Sequence, residues 1–291
     1  MAPTRRDFIL ATGGALLLTA CRATGSRDGS ASTAAPATAP ANFGLVQRFP
    51  DTPLFTPGDV RLAVSLTDGS NMMSSGPATF TGWIEDFNHV KITDVVAKRR
   101  DQGVSVPYWE VRATLPKAVI YTLRFIGDDG RGAAFEVFDP ADVASPLTGK
   151  PMPPFDTPTA DNHRGVEPYC SLTPTPCPLH AVTLTDALKS GKPVAYMVGT
   201  PAHCQTGTCA PGLVALVDEH TRLKDEVVMV HADVYADNAG TIVAPAVDAL
   251  HVQYEPIIYL CDATGVVVDR LDGVWDTTEL RERLDLLTAG K

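Results

Sequence analysis

Between residues 44 and 140 apolar and polar positions alternate with a period of two. In "DVRLAVSLTDG" Val60, Leu62, Val64 and Leu66 fall on one face, and Asp68-Gly69 supplies a turn. "ATFTGWIEDF", "YWEVRATLP", "IYTLRFIG" and "AAFEVFD" follow at short spacing, with "GDDG" between the last two. No run with a helical period intervenes, so this stretch predicts a small antiparallel sandwich. Residues 141–168 are dense in proline and predict an extended linker or a strap along the surface. From residue 169 to 291 the period changes. "TLTDALKSG" reads as a short helix with Thr185 as cap and Gly191 as stop, and "KPVAYMVGT" and "EVVMVHADV" read as buried strands. "APGLVALVDEHTRL" places Leu213, Leu216 and Val217 at helical spacing. "EPIIYLCDATGVVVDRLDG" reads as a hairpin turning at Ala263-Thr264-Gly265. "TTELRERLDLL" sets Leu280, Leu284 and Leu287 on one face of a closing helix.

The expected fold is therefore two-domain: an N-terminal all-β sandwich, immunoglobulin-like in broad class, followed by an α/β domain. The sandwich carries no evident chemistry. Met72-Met73 and Tyr108-Trp109 are read as packing residues.

The N-terminus adds a compartment. "TRRDFILATGGALLLTAC" has the twin arginine Arg5-Arg6, an apolar run to Leu18 that is too short to cross a bilayer, and Leu-Thr-Ala-Cys ending at Cys21. Residues 1–20 are expected to be a twin-arginine signal peptide. The Leu-Thr-Ala-Cys stretch resembles a bacterial lipobox, which implies lipid on Cys21 and a chain anchored to the cell membrane on its extracytoplasmic side. Residues 21–43 are rich in Ala, Thr, Ser, Gly and Pro and cannot bury enough apolar surface to fold, so they are expected to be a tether. The net charge is −10, and losing residues 1–20 makes it more negative. With no basic stripe, nucleic acid is not an expected partner.

Six cysteines occur. With Cys21 lipidated, an oxidising compartment favours two pairs among the other five and one leftover thiol. Cys170 and Cys177 flank "SLTPTP" and are expected to form a structural disulfide. A zinc site through Cys170, Cys177 and His180 is the weaker option because no C-x-x-C pair is present, so no metal and no cofactor are expected. Cys261, on an apolar strand, reads as a buried inert thiol. Cys204 and Cys209 stand in "GTPAHCQTGTCAPG", between a buried strand and a helix. On an ideal helix, residues five apart are turned by about 140° and rise about 7.5 Å. A disulfide needs Cα atoms within about 7 Å. Either the helix begins near Cys209, leaving Cys204 in a loop, or its first turn melts when the bond forms.

The segment 179–288 resembles the thioredoxin-like fold in the order of "KPVAYMVGTPAHC", "EVVMVHADVY" and "YEPIIYLCDATGVVVDRLDG". The resemblance implies thiol–disulfide oxidoreductase activity on protein thiols or disulfides of the cell envelope. It implies Cys204 as nucleophile, Cys209 as resolving cysteine and Pro256 as a cis proline facing the substrate, and His203 beside Cys204 is a candidate substrate-binding residue. C-x4-C departs from the C-x-x-C of thioredoxins and is the spacing of bacterioferritin-comigratory peroxiredoxins. A thiol peroxidase is thus the alternative, although Thr200-Pro201 is one residue too far from Cys204 and no arginine precedes the late strand, Arg270 lying on the far arm of the hairpin. A copper-chaperone relative would use His251, which is displaced. A non-catalytic binding lipoprotein with a locked Cys204–Cys209 bond is the third reading.

Overall fold

The computed structural model describes residues 42–289. The signal peptide, most of the tether and Cys21 lie outside the described residues.

The alternating stretch folds into strands β1 (Gly44–Gln47), β2 (Gly58–Thr67), β3 (Thr79–Asp86), β4 (Lys91–Arg100), β5 (Tyr108–Leu115), β6 (Ile120–Phe125) and β7 (Ala133–Glu136). They are hydrogen-bonded in the order β1-β2-β5-β4-β3-β6-β7. Split after β4, this is the order of the two sheets of an immunoglobulin-type sandwich. The expected separation into two sheets does not occur, because β3 and β4 pair from Thr79↔Lys98 to Glu85↔Lys91 and make one continuous sheet. The sheet curls so that its ends meet: Asn42 N–H donates to Gly127 O at 3.0 Å and Asp129 N–H to Phe43 O at 2.8 Å. Leu62, Val64, Leu66, Trp109, Leu123 and Phe125 fill the interior.

The α/β half comprises α1 (Leu184–Lys189), β8 (Val194–Val198), α2 (Cys209–Leu223), β9 (Val228–Ala232), α3 (Pro245–Leu250), β10 (Ile257–Cys261), β11 (Val267–Asp272) and α4 (Thr277–Ala289). Its sheet runs β11-β10-β8-β9, with β8 and β9 parallel and the other pairs antiparallel. Both faces of β8 are buried, which explains its unbroken apolar sequence. Ala195 and Met197 pack with α2 and α4, and Val194, Tyr196 and Val198 with α1 and α3. This is the thioredoxin-like order. The cap of α1 is Thr183 rather than Thr185: its hydroxyl accepts from Asp186 N–H at 3.0 Å.

The Pro-rich segment is a strap. Gly149 and Met152 N–H donate to Val267 and Gly265 carbonyls, and Met152 is buried. The two halves belong to one compact unit. Arg61 of β2 bonds Glu279 of α4 at 2.7 and 2.6 Å and donates to the carbonyls of Asp272 and Val274, all out of solvent. Tyr108 O–H also reaches Glu279. Beside them, Arg100 and Lys98 each meet Glu282 at 2.6 Å.

Candidate active site

β8 ends at Val198, and the chain turns through Gly199-Thr200-Pro201 into the loop that carries Cys204. α2 begins at Cys209 in this disulfide-bonded form, so Cys204 is a loop residue here, as either alternative requires of the oxidised chain. The two cysteines form a disulfide with Cα atoms 5.9 Å apart, within the range a disulfide spans. Gly207 at φ 67° makes the intervening turn, a conformation glycine adopts without penalty.

The two sulfurs are not equivalent. Cys204 is half-buried, whereas Cys209 is fully enclosed. Thr208, the residue before α2, does not cap it; its hydroxyl donates to Gly273 O at 2.8 Å. The first amide of the helix, Cys209 N–H, instead donates to Cys204 Sγ at 3.2 Å. The positive end of α2 is thus turned toward Cys204 Sγ.

Glu255 is the site residue that sequence reading missed. One carboxylate oxygen lies 3.5 Å from Cys209 Sγ and accepts a hydrogen bond from Thr200 N–H. Burial pushes its carboxyl above the ordinary glutamate value. The only sequence signal was its position immediately before Pro256. The Glu255–Pro256 bond is cis. Pro256 and Cys209 both pack close to Gly199: a Cβ built there would stand 3.2 Å from Pro256 and 3.6 Å from Cys209 Sγ.

The other expectations fare differently. His203 Nε2 donates to Asn238 O, 3.1 Å away, and the ring packs edge-on to Tyr235; among the described residues neither sulfur is a hydrogen-bond partner of the ring. His251 ends α3 and is exposed. Arg270 is held by Asp272, Tyr254 and Pro146 O. Cys261 is a buried free thiol, and burial pushes it up to about 12. The expected Cys170–Cys177 disulfide does not form: both are free thiols. Their sulfurs face His231 Nδ1 at 3.8 and 3.6 Å, and His180 Nε2 faces the same atom at 3.2 Å. A potential ligand set thus stands where the sequence predicted none, because His231 comes from β9, more than fifty residues away, and no spacing announces it.

No family model and no curated protein matches the chain. Among solved structures it is similar to one from Chlorobium tepidum described as a thiol:disulfide interchange protein DsbE, at 15% identity and a TM-score of 0.36, covering 50% of this chain and 99% of that one. A thiol:disulfide interchange protein of the thioredoxin family from Chlorobium tepidum TLS is similar at 13% identity and a TM-score of 0.36, covering 49% and 98%. Similarity at that level adds nothing to what the geometry of the site supports.

Proposed function

We propose that the protein is a thiol–disulfide oxidoreductase of the cell envelope, anchored by lipid on Cys21, with protein thiols or disulfides as substrates. The observation that carries the reading is the asymmetry of one disulfide: a half-exposed Cys204 under a helix amide and an enclosed Cys209 beside a half-buried carboxyl. In the reducing direction, the Cys204 thiolate attacks a partner disulfide. One partner sulfur leaves as a thiolate, and a mixed disulfide forms. Cys209 passes its proton to Glu255 and attacks Cys204 Sγ; the Cys204–Cys209 bond forms and the second partner thiolate departs. Two electrons move from the dithiol to the partner, and the reverse sequence oxidises a partner dithiol. In this reading the backbone before the cis Pro256, itself buried, is where a substrate's extended chain would be held.

The test is a trap. With Cys209→Ser the mixed disulfide has no resolving thiol, so envelope proteins should accumulate covalently on Cys204 and be released by dithiothreitol. The Cys204→Ser chain should capture none. Equal capture by both variants, or by neither, contradicts the reading.

A further inference from the structure

His231 is fully buried on β9, and its Nε2 lies 2.8 Å from Gly199 O. A carbonyl can only accept, so Nε2 carries a proton, and in the neutral imidazole Nδ1 then presents a bare lone pair. His180 is arranged alike: its Nδ1 lies 3.3 Å from Pro158 O, which leaves Nε2 bare. The two bare nitrogens face each other at 3.2 Å in a region closed to water. Two acceptors at that distance repel unless a cation lies between them. Cys170 and Cys177 complete the group, and all four ligand atoms fall within 4.8 Å of one another.

The spacing and the two-sulfur, two-nitrogen donor set together point to zinc. A tetrahedral ion with bonds of about 2.3 Å to sulfur and about 2.05 Å to nitrogen separates sulfur from nitrogen by about 3.6 Å and two nitrogens by about 3.3 Å. The corresponding distances here are 3.8, 3.6 and 3.2 Å. The outer partners also have the form of a metal site: each imidazole is fixed by a backbone carbonyl, and Cys177 N–H donates to Cys170 Sγ at 3.3 Å.

We propose that Cys170 Sγ, Cys177 Sγ, His180 Nε2 and His231 Nδ1 bind one zinc ion as a closed structural site. Four protein ligands leave no position for water or substrate. Two thiols lose their protons to the solvent on binding, and the two thiolates balance the ion's charge. The site lies directly beneath the redox loop. Gly199, which accepts from His231, begins that loop, and Ser171, next to Cys170, accepts from Ala202 N–H at 3.3 Å. Zinc would pin the end of the strap to β9 and so hold the floor on which Cys204 is carried, while shielding Cys170 and Cys177 from the oxidation the redox pair undergoes.

The experiment uses the full chain with Cys204 and Cys209 both replaced by serine, so that the redox pair cannot ligate. The protein is reduced, stripped with a chelator and titrated with Co²⁺ alone. One equivalent should produce thiolate-to-cobalt charge-transfer absorption and the visible bands of tetrahedral cobalt, and one equivalent of Zn²⁺ should remove both. His231→Ala and Cys177→Ser should abolish the bands. X-ray absorption of the zinc-loaded double-serine chain needs no ligand variant and should give a shell of two sulfurs and two nitrogens. The proposal is overturned by a folded, reduced chain without tetrahedral cobalt bands, by a zinc shell lacking sulfur, by retention of Cu(I) in place of Zn²⁺ when both are offered, or by a Cys170–Cys177 disulfide in the protein as isolated. None of these results bears on whether Cys204 and Cys209 exchange disulfides.

Discussion

Glu255 ties the chemistry of the site to pH. Burial holds its carboxyl above the ordinary value, so the folded chain keeps the proton to a higher pH than the unfolded chain does. The stability this confers is present below the ordinary glutamate value and is lost as pH rises through the raised one. Glutamine does not ionise. Relative to wild type, Glu255→Gln should therefore gain stability as pH rises, which urea unfolding across a pH series will show. The same variant removes the proton acceptor for Cys209. Resolution of a mixed disulfide on Cys204 should slow on the order of a hundredfold, the usual worth of a positioned base, while capture by Cys204 is kept. An unchanged resolution rate in quenched-flow measurements would remove Glu255 from the mechanism. The residue was not legible in advance because its role depends on a carboxyl folding back over a helix start 46 residues earlier. The pair itself was legible, since "HCQTGTC" between an apolar strand and a helical run already marks the end of β8.

At the scale of elements, the start of α2 decides how the loop moves. Because the helix begins at Cys209 with the bond formed, reduction requires no change in the helix. Hydrogen exchange on the two redox forms should differ at Gln205–Thr208 and be the same from Leu213 onward. Differences running through α2 would instead indicate a helix that melts on oxidation. The strands and helices of the α/β half were readable because each has one dominant period: the unbroken apolar run of β8 and the Leu280, Leu284, Leu287 stripe of α4 are both buried as expected. Two features escape that reading. β3 and β4 form a local hairpin across residues 87–90, and nothing in "KITDVVAKRR" or "ATFTGWIEDF" says that their pairing merges two expected sheets into one. Likewise a short Cys–Cys loop reads as a disulfide until β9 delivers His231.

On the scale of the whole molecule, the two halves are joined by charge. Burial opposes ionisation of Glu279, but Arg61 and the Tyr108 hydroxyl hold its carboxyl below the ordinary value. A depressed carboxyl contributes stability above its unfolded value, and that contribution is lost as pH falls through the folded one. Arg61→Ala leaves the buried carboxylate unpaired and should cost about 3–5 kcal/mol in urea unfolding, the range for breaking one partner of a buried pair. Glu279→Gln should flatten the acid limb of the stability curve. Wild type should unfold in a single transition by calorimetry, and two well-separated transitions would contradict a joint of this kind.

The central claim, that Cys204–Cys209 is a working redox pair, is tested most directly by its reduction potential. The chain is equilibrated in glutathione or dithiothreitol buffers, and the fraction reduced is read by alkylation and mass. A reversible two-electron couple between about −120 and −270 mV, the span of exchange proteins from strong oxidants to thioredoxin, is the predicted result. A bond that stays closed to below about −300 mV is a structural clasp, and the oxidoreductase reading would then be wrong.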